Sequence, residues 1–583
     1  MNPRHGVVRS IGVICALAFL LQMAGCVAEW PISKVVYTTA EQQVLPFAIA
    51  SGTPPIKPSE VPRYVELGYS AWHASPGTDY GTDPKNPVPY DKRTELAPAY
   101  AGAPNAARLL SFFAITDIHI TDKESPAQPL YSGWSAPFAA PRLLVTCYSP
   151  VILSTTQVLD AAIQTVNALH KRSPFDFGIS LGDNINNTQY NELRWFIDVL
   201  DGKAITPSSG VHDGADTIDY QRPYKAAGLD RTIPWYQVLG NHDQYLAGGA
   251  QENAKTQATH VGDTIINMAN DPSPTGLNGS GFYMGVVDGA TPYGDVIGAG
   301  PEEDFPTPPK VVADENRHSL VTETSTSLNW MGEFFHTDSK PVGHGFTQAN
   351  LDKDFACYSF EPQSDLPLKV IVLDDTAKGP GQPDYGGGAL DQARLDWLTG
   401  ELQQGQDDGK LMIIAAHIPV KPAKGLTDDT PAHTFRDEKS EDSLLATLHA
   451  YPNLILWIAG HRHLNTVTAQ PYDPSMAAQG PENSFWEVET ASLRDFPQQF
   501  RTFDIRRNSD NTISIFVTDV DPAVTEGSPA AKSRDYAIGA ARIFGATPEN
   551  NADTSSQAYN AELVKQLTPA MQAVIATCGT PLE

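Results

Sequence analysis

The sequence predicts a layered α/β fold. From about residue 107 onward, short apolar runs alternate with segments of helical periodicity, the pattern of strands joined by crossover helices. Several of these runs stop at Gly, Asp, Asn or His, so the strand ends carry polar side chains. From Asp243 to about Asp365 the alternation is broken by a stretch rich in Gly, Asn, Asp and Pro. Loops of that length are uncommon in a compact domain unless they form a lid or subdomain.

Residues 27–106 contain Pro54, Pro55, Pro58, Pro62, Pro84, Pro87 and Pro89 without sustained periodicity. They are expected to form a leader lying over a core rather than a domain. The first strand is predicted at 109–115. Over 156–170, Val158, Leu159, Ala162, Ile163, Val166 and Leu169 recur at helical spacing. A strand at 175–181, a helix at 190–200 and a strand at 233–239 follow. The stretch 244–365 either caps the functional site or forms a surface excursion that never reaches it. The core resumes with a strand at 368–373. Asp391 then caps a helix with Leu395, Leu398 and Leu402 on one face. A strand at 411–416, a short helix at 444–448 and a strand at 453–459 follow. Runs at 485–489, 499–505 and 512–518 look like antiparallel strands, and 522–583 is expected to be an extension with one or two helices.

The first residues carry a targeting pattern. Arg4 and Arg9 flank an apolar run from Ile11 to Met23, too short for a comfortable membrane span, as in a secretory signal. Its end, Met23-Ala24-Gly25-Cys26, is similar to a bacterial lipobox, which would make Cys26 a lipidation site at the boundary of a 1–26 signal segment. Met23 stands where that pattern has Leu, and simple cleavage between Ala24 and Ala28 is the alternative. Export to the periplasm or cell envelope is expected, with membrane attachment through the lipid if Cys26 is modified. Beyond the signal, Cys147, Cys357 and Cys578 allow one disulfide and form no Cys-x-x-Cys motif.

With 41% hydrophobic residues the chain is globular rather than disordered. A formal charge of −28 argues against a broad surface for nucleic acid. An anionic substrate must be attracted locally, as bound cations would do.

Five clusters point to such cations. They are Asp117-Ile118-His119, Gly182-Asp183, Gly240-Asn241-His242-Asp243, His417 and Gly460-His461-Arg462-His463. Singly, a Gly-Asp pair after a strand is a turn and a lone His is unremarkable. Together and in this order they offer the oxygen and imidazole donors of a two-metal hydrolase.

That order resembles the calcineurin-like metallophosphoesterase superfamily over about 107–521. The resemblance implies a two-sheet β-sandwich flanked by helices and a phosphoester substrate, monoester or diester. It implies two divalent transition-metal ions, of Mn, Zn, Fe or Co. Asp183 would bridge them. Asp117, His119 and His463 would complete one site, and Asn241, His417 and His461 the other. His242 would give a proton to the leaving alcohol, with Asp243 orienting its imidazole or else capping a helix. Purple acid phosphatases have Tyr three residues after the bridging Asp. Asn186 stands there, so a tyrosinate-bound ferric centre is not expected. Arg494 and Arg501 are candidates for substrate selection.

Two other readings compete. Gly178-Ile179-Ser180-Leu181-Gly182 matches the nucleophile elbow of serine hydrolases, but Asp183 to Asn187 has loop character where an elbow turns into a helix. The chain could also be a metal-binding surface module without activity, although a decayed site would have lost some of the seven ligands or His242.

Overall fold

The computed structural model describes residues 28–56, 60–81, 85–128, 150–210, 223–263, 266–267, 278–279, 282–283, 300–301, 312–378, 386–420, 441–543, 545 and 559–582. Cys26, the signal segment and Cys147 lie outside them. Cys357 and Cys578 are free thiols. Among the described residues no helix is long and apolar enough to cross a membrane.

Two large sheets dominate a mixed α/β architecture. In the eight-stranded sheet, β1 (Asp91–Leu96), β2 (Asn105–Ile115), β3 (Phe177–Ser180) and β4 (Trp235–Gln237) are joined by four later strands. Strands β2, β3 and β4 run parallel, with Ile115 beside Ser180 and Ser180 beside Gln237. The six-stranded sheet contains β5 (Tyr358–Phe360), β6 (Leu368–Val372), β7 (Leu411–Ala415), β8 (Leu454–Ala459), β9 (Thr466–Gln470) and β10 (Phe485–Glu489) in the order β5-β6-β7-β8-β10-β9. Strands β6, β7, β8 and β10 are parallel.

Strands buried on both faces explain the continuous apolar runs of the parallel segments. In β6 and β7, Val370 and Ile413 join a core that includes Phe112 and Phe503 of the eight-stranded sheet. Their neighbours Ile371 and Ile414 pack into a second core with Leu398 and Leu402 of the helix Gln392–Asp407. That helix is capped as expected, with Asp391 Oδ1 accepting Arg394 N–H at 2.9 Å. The helix Thr155–Arg172 connects β2 towards β3 and buries the predicted apolar face.

The runs expected to form one antiparallel group divide between the sheets. β10 lies parallel to β8, whereas β11 (Phe500–Asn508) and β12 (Ile513–Val520) are antiparallel partners in the sheet of β2. The cause is β9, which returns the chain so that β10 runs alongside β8. The C-terminal stretch contributes more than helices: β13 (Ala561–Lys565) pairs with β12 on one side and with β1 on the other.

Parts of the 244–365 stretch pack onto the main body. The buried Arg317 donates from Nε to Asp122 Oδ2 (3.2 Å) and Ser209 Oγ (2.8 Å). Its first residues reach the predicted site directly, because Gly248 O accepts Asn241 Nδ2 at 2.8 Å.

Candidate metal centre

Parallel strands in register end together, and polar residues just beyond them converge. Asp117, Asp183 and Asn241 follow β2, β3 and β4, while His417, His461 and His463 follow β7 and β8. The chain turns sharply there. Asp117, His119, Asp183, His461 and His463 all have positive φ, between 46° and 79°. Non-glycine residues hold this conformation only when surrounding structure enforces it. The enforcement is visible at two glycines. A Cβ on Gly240 would overlap Asp183 N and Oδ1, and one on Gly460 would overlap Thr116 Oγ1.

The seven predicted ligands are brought together in two adjoining groups. In the first, His119 Nε2 and His463 Nε2 face each other at 3.1 Å, and Asp117 Oδ1 is 3.3 Å from His463 Nε2. In the second, His417 Nε2 is 2.9 Å and His461 Nδ1 3.1 Å from Asn241 Oδ1. Asp183 Oδ2 faces both, 3.3 Å from His417 Nε2 and 3.8 Å from His119 Nε2. Donor atoms of Asp117, His119 and His463 lie within 4.8 Å of one another, as do those of Asp183, His417 and His461.

Hydrogen bonds around the rim decide which atoms face inward. Leu181 O and His417 Nδ1 are 2.8 Å apart, so Nδ1 carries a proton and Nε2 is the atom turned towards the cluster. His463 Nδ1 is held by Asp495 Oδ2 at 2.7 Å, the carboxylate–imidazole arrangement that orients metal-binding histidines. Asp117 Oδ2 accepts Thr116 Oγ1 (2.7 Å) and His461 N–H (2.9 Å), while the buried Oδ1 accepts no hydrogen bond. A buried carboxylate oxygen without a donor fits a cation site. Neutral imidazoles, carboxylates and an amide oxygen suit transition-metal ions.

The electrostatics agree. Burial favours neutral Asp183, yet facing His417 and His242 hold its carboxyl below the usual range. Burial opposes charge on His417 and His463, but Asp183 raises the first to about 10 and Asp117 the second to about 9. The carboxylates thus draw positive charge into a desolvated site, a demand that divalent cations can meet.

His242 belongs to this cluster, its donor atom within 4.8 Å of those of His119 and Asp183, whereas Asp243 differs from expectation. His242 Nδ1 is 2.9 Å from the Asn186 carbonyl. The Asp243 carboxylate instead accepts the backbone N–H groups of Asp183 (3.0 Å), Asn184 (3.0 Å), Ile185 (3.3 Å) and Gly240 (2.9 Å). It clamps two strand-end turns together, and the contact on the His242 ring is the Asn186 carbonyl instead. Burial and then the Asp183 charge push its pKa up, against the pull of those donors, which favour the carboxylate.

Ser180 is no elbow nucleophile in this geometry: its hydroxyl donates to Asn184 Oδ1 at 2.6 Å rather than to a histidine. Arg501 pairs with Asp519 at 2.9 Å in the sheet of β2, whereas Arg494 lies beside the cluster. Asp495 was not singled out from sequence, since it is 32 residues beyond His463 and belongs to no motif.

No family model matches the chain, and no curated protein matches it. Among solved structures, it is similar to a dimetal phosphatase from Danio rerio at 12% identity and a TM-score of 0.34, covering 72% of this chain and 100% of that one. It is also similar to PhoD at 11% identity and a TM-score of 0.32, covering 73% of this chain and 69% of that one.

Proposed function

We propose that the protein is a hydrolase of phosphoesters that works with two divalent transition-metal ions, Mn, Zn, Fe or Co, in a calcineurin-like two-sheet framework. The observation that carries the reading is Asp183 Oδ2, a buried carboxylate oxygen facing both donor groups. Asp117, His119, His463 and Asp183 would hold one ion, and Asp183, Asn241, His417 and His461 the other. Such ions, when bound, supply a water of lowered pKa and charge to offset that of the phosphoryl group. The chain's own contributions are then positional. Leu181 O and Asp495 fix two imidazoles, Asp243 fixes the turns bearing Asp183 and Asn241, and Asn186 O fixes His242 so that Nε2 is the atom able to exchange a proton.

Elemental analysis of purified protein, with hydrolysis of phosphomonoesters and diesters in the presence of Mn or Zn, tests this. About two ions per chain and chelator-sensitive turnover are expected. Undiminished turnover by metal-free protein in chelator would overturn the mechanism, and metal binding without turnover would favour a binding module.

The reading extends to location. Arg4, Arg9, the apolar run from Ile11 to Met23 and the lipobox ending at Cys26 support an exported, periplasmic or cell-envelope lipoprotein. Cys26→Ser should release the protein from the membrane fraction. A wild-type protein already soluble after cleavage beyond Cys26 would remove the anchor from the proposal.

A further inference from the structure

Arg494 is a fixed cation at the edge of the donor cluster with part of its hydrogen-bonding capacity unmet. The segment that carries it is tied to the first motif, since Ser492 Oγ donates to Asp117 O (2.8 Å) and accepts Arg494 N–H (3.0 Å). Arg494 is 1% exposed. Nη1 donates to Asn186 Oδ1 at 2.7 Å, but Nε and Nη2 have no hydrogen-bond acceptor. Asp495 Oδ1 is 3.6 Å from Nε, too far to serve, and its other oxygen holds His463. Buried guanidinium groups ordinarily have their donors met. The Nε/Nη2 edge is a fork suited to two oxygens of one anion.

We propose that Arg494 takes non-bridging phosphoryl oxygen of the substrate, and that the substrate is a phosphomonoester dianion in preference to a diester. This rests on the phosphoester reading above. A monoester phosphoryl group has three non-bridging oxygens and up to two negative charges, whereas a diester has two such oxygens and one charge. A guanidinium beside two cations matches the first inventory. The net charge of −28 makes a local cation the more necessary for a dianion.

The test measures inorganic phosphate binding by calorimetry to metal-loaded wild type, Arg494→Gln and Arg494→Lys, with metal content and melting temperature recorded. The ratio of kcat/KM for p-nitrophenyl phosphate over bis-p-nitrophenyl phosphate is measured alongside. Arg494→Gln should keep its metal and lose phosphate affinity on the order of 10- to 100-fold, as for a hydrogen bond to a charged group. The ratio should fall with it, and Arg494→Lys should recover part of both. Unchanged phosphate affinity and ratio in Arg494→Gln overturn the proposal. Should Arg494→Gln not fold, wild-type values in Arg494→Lys, which keeps the charge and lacks the fork, do the same. A wild-type enzyme that is metal-dependent but prefers diesters refutes this inference alone. A wild type that neither binds metal nor turns over either ester refutes the function beneath it.

Discussion

The His242 imidazole is held by the backbone carbonyl of Asn186, 2.9 Å from Nδ1. A carbonyl only accepts, so Nδ1 carries a proton and Nε2 is left for chemistry. His242→Ala should therefore retain both metals while kcat falls about 10²–10⁴-fold for alkyl esters. The loss should shrink with p-nitrophenolate, which departs without a proton. Asp183→Ala should lose at least one metal, with no rescue by the better leaving group. Metal content and leaving-group slopes on both variants check this, and equal metal loss in the two would make His242 a ligand.

Asp243 acts on the backbone, which separates its loss from that of His242. An amide oxygen can accept, but the amide nitrogen of Asp243→Asn would face N–H groups that now donate to carboxylate. Each buried hydrogen bond left unmade costs about 1–3 kcal/mol. Denaturant titration should show reduced stability, and metal affinity should fall about 10–100-fold, as for other supports of metal ligands. The leaving-group slope should stay at its wild-type value. A slope matching His242→Ala would restore Asp243 as the orienting residue.

Gly240→Ala should abolish metal binding, because the added Cβ meets Asp183 N and Oδ1. Gly249→Ala is the control, since a Cβ there has nothing within 4 Å. Elemental analysis of both decides it. Retention of two ions by Gly240→Ala would show that the turn can open without losing Asp183.

Lys565 is buried on β13, donating to Glu482 O (2.6 Å) and Gln566 O (2.9 Å). Burial depresses its pKa to about 7, only partly countered by the Glu482 charge. Between there and about 10.4, the unfolded chain binds more protons than the folded one. Stability from this residue is therefore lowest below pH 7 and recovers as pH rises towards 10. Lys565→Met should flatten that rise in denaturant titrations at pH 7 and 9.5, where an unchanged slope would contradict it.

The strand ends bearing Asp117, Asp183, Asn241, His417 and His461 were legible because a buried parallel strand is a continuous apolar run, and its end is marked by the first polar residues. Strands β9 and β13 were not. Thr466-Val467-Thr468-Ala469-Gln470 and Ala561-Glu562-Leu563-Val564-Lys565 lack such a run, and their pairing depends on distant partners. The same distinction holds within the site. Donor types and their order are local, whereas the Asp495 contact with His463 and the Asp243 contact with Asp183 exist only once separate turns meet.

The proposed ligands extend from Asp117 to His463 and hang from the ends of two different sheets. A ribosome must therefore have released nearly the whole of that interval before a complete cage can exist. A nascent chain can offer only fragments of it, such as Asp117 with His119, and the last histidines close it. Under the proposed function, loading would then be a late event in the life of the polypeptide. The compartment where the chain finishes folding, rather than the one where it is synthesised, would determine which ion it receives.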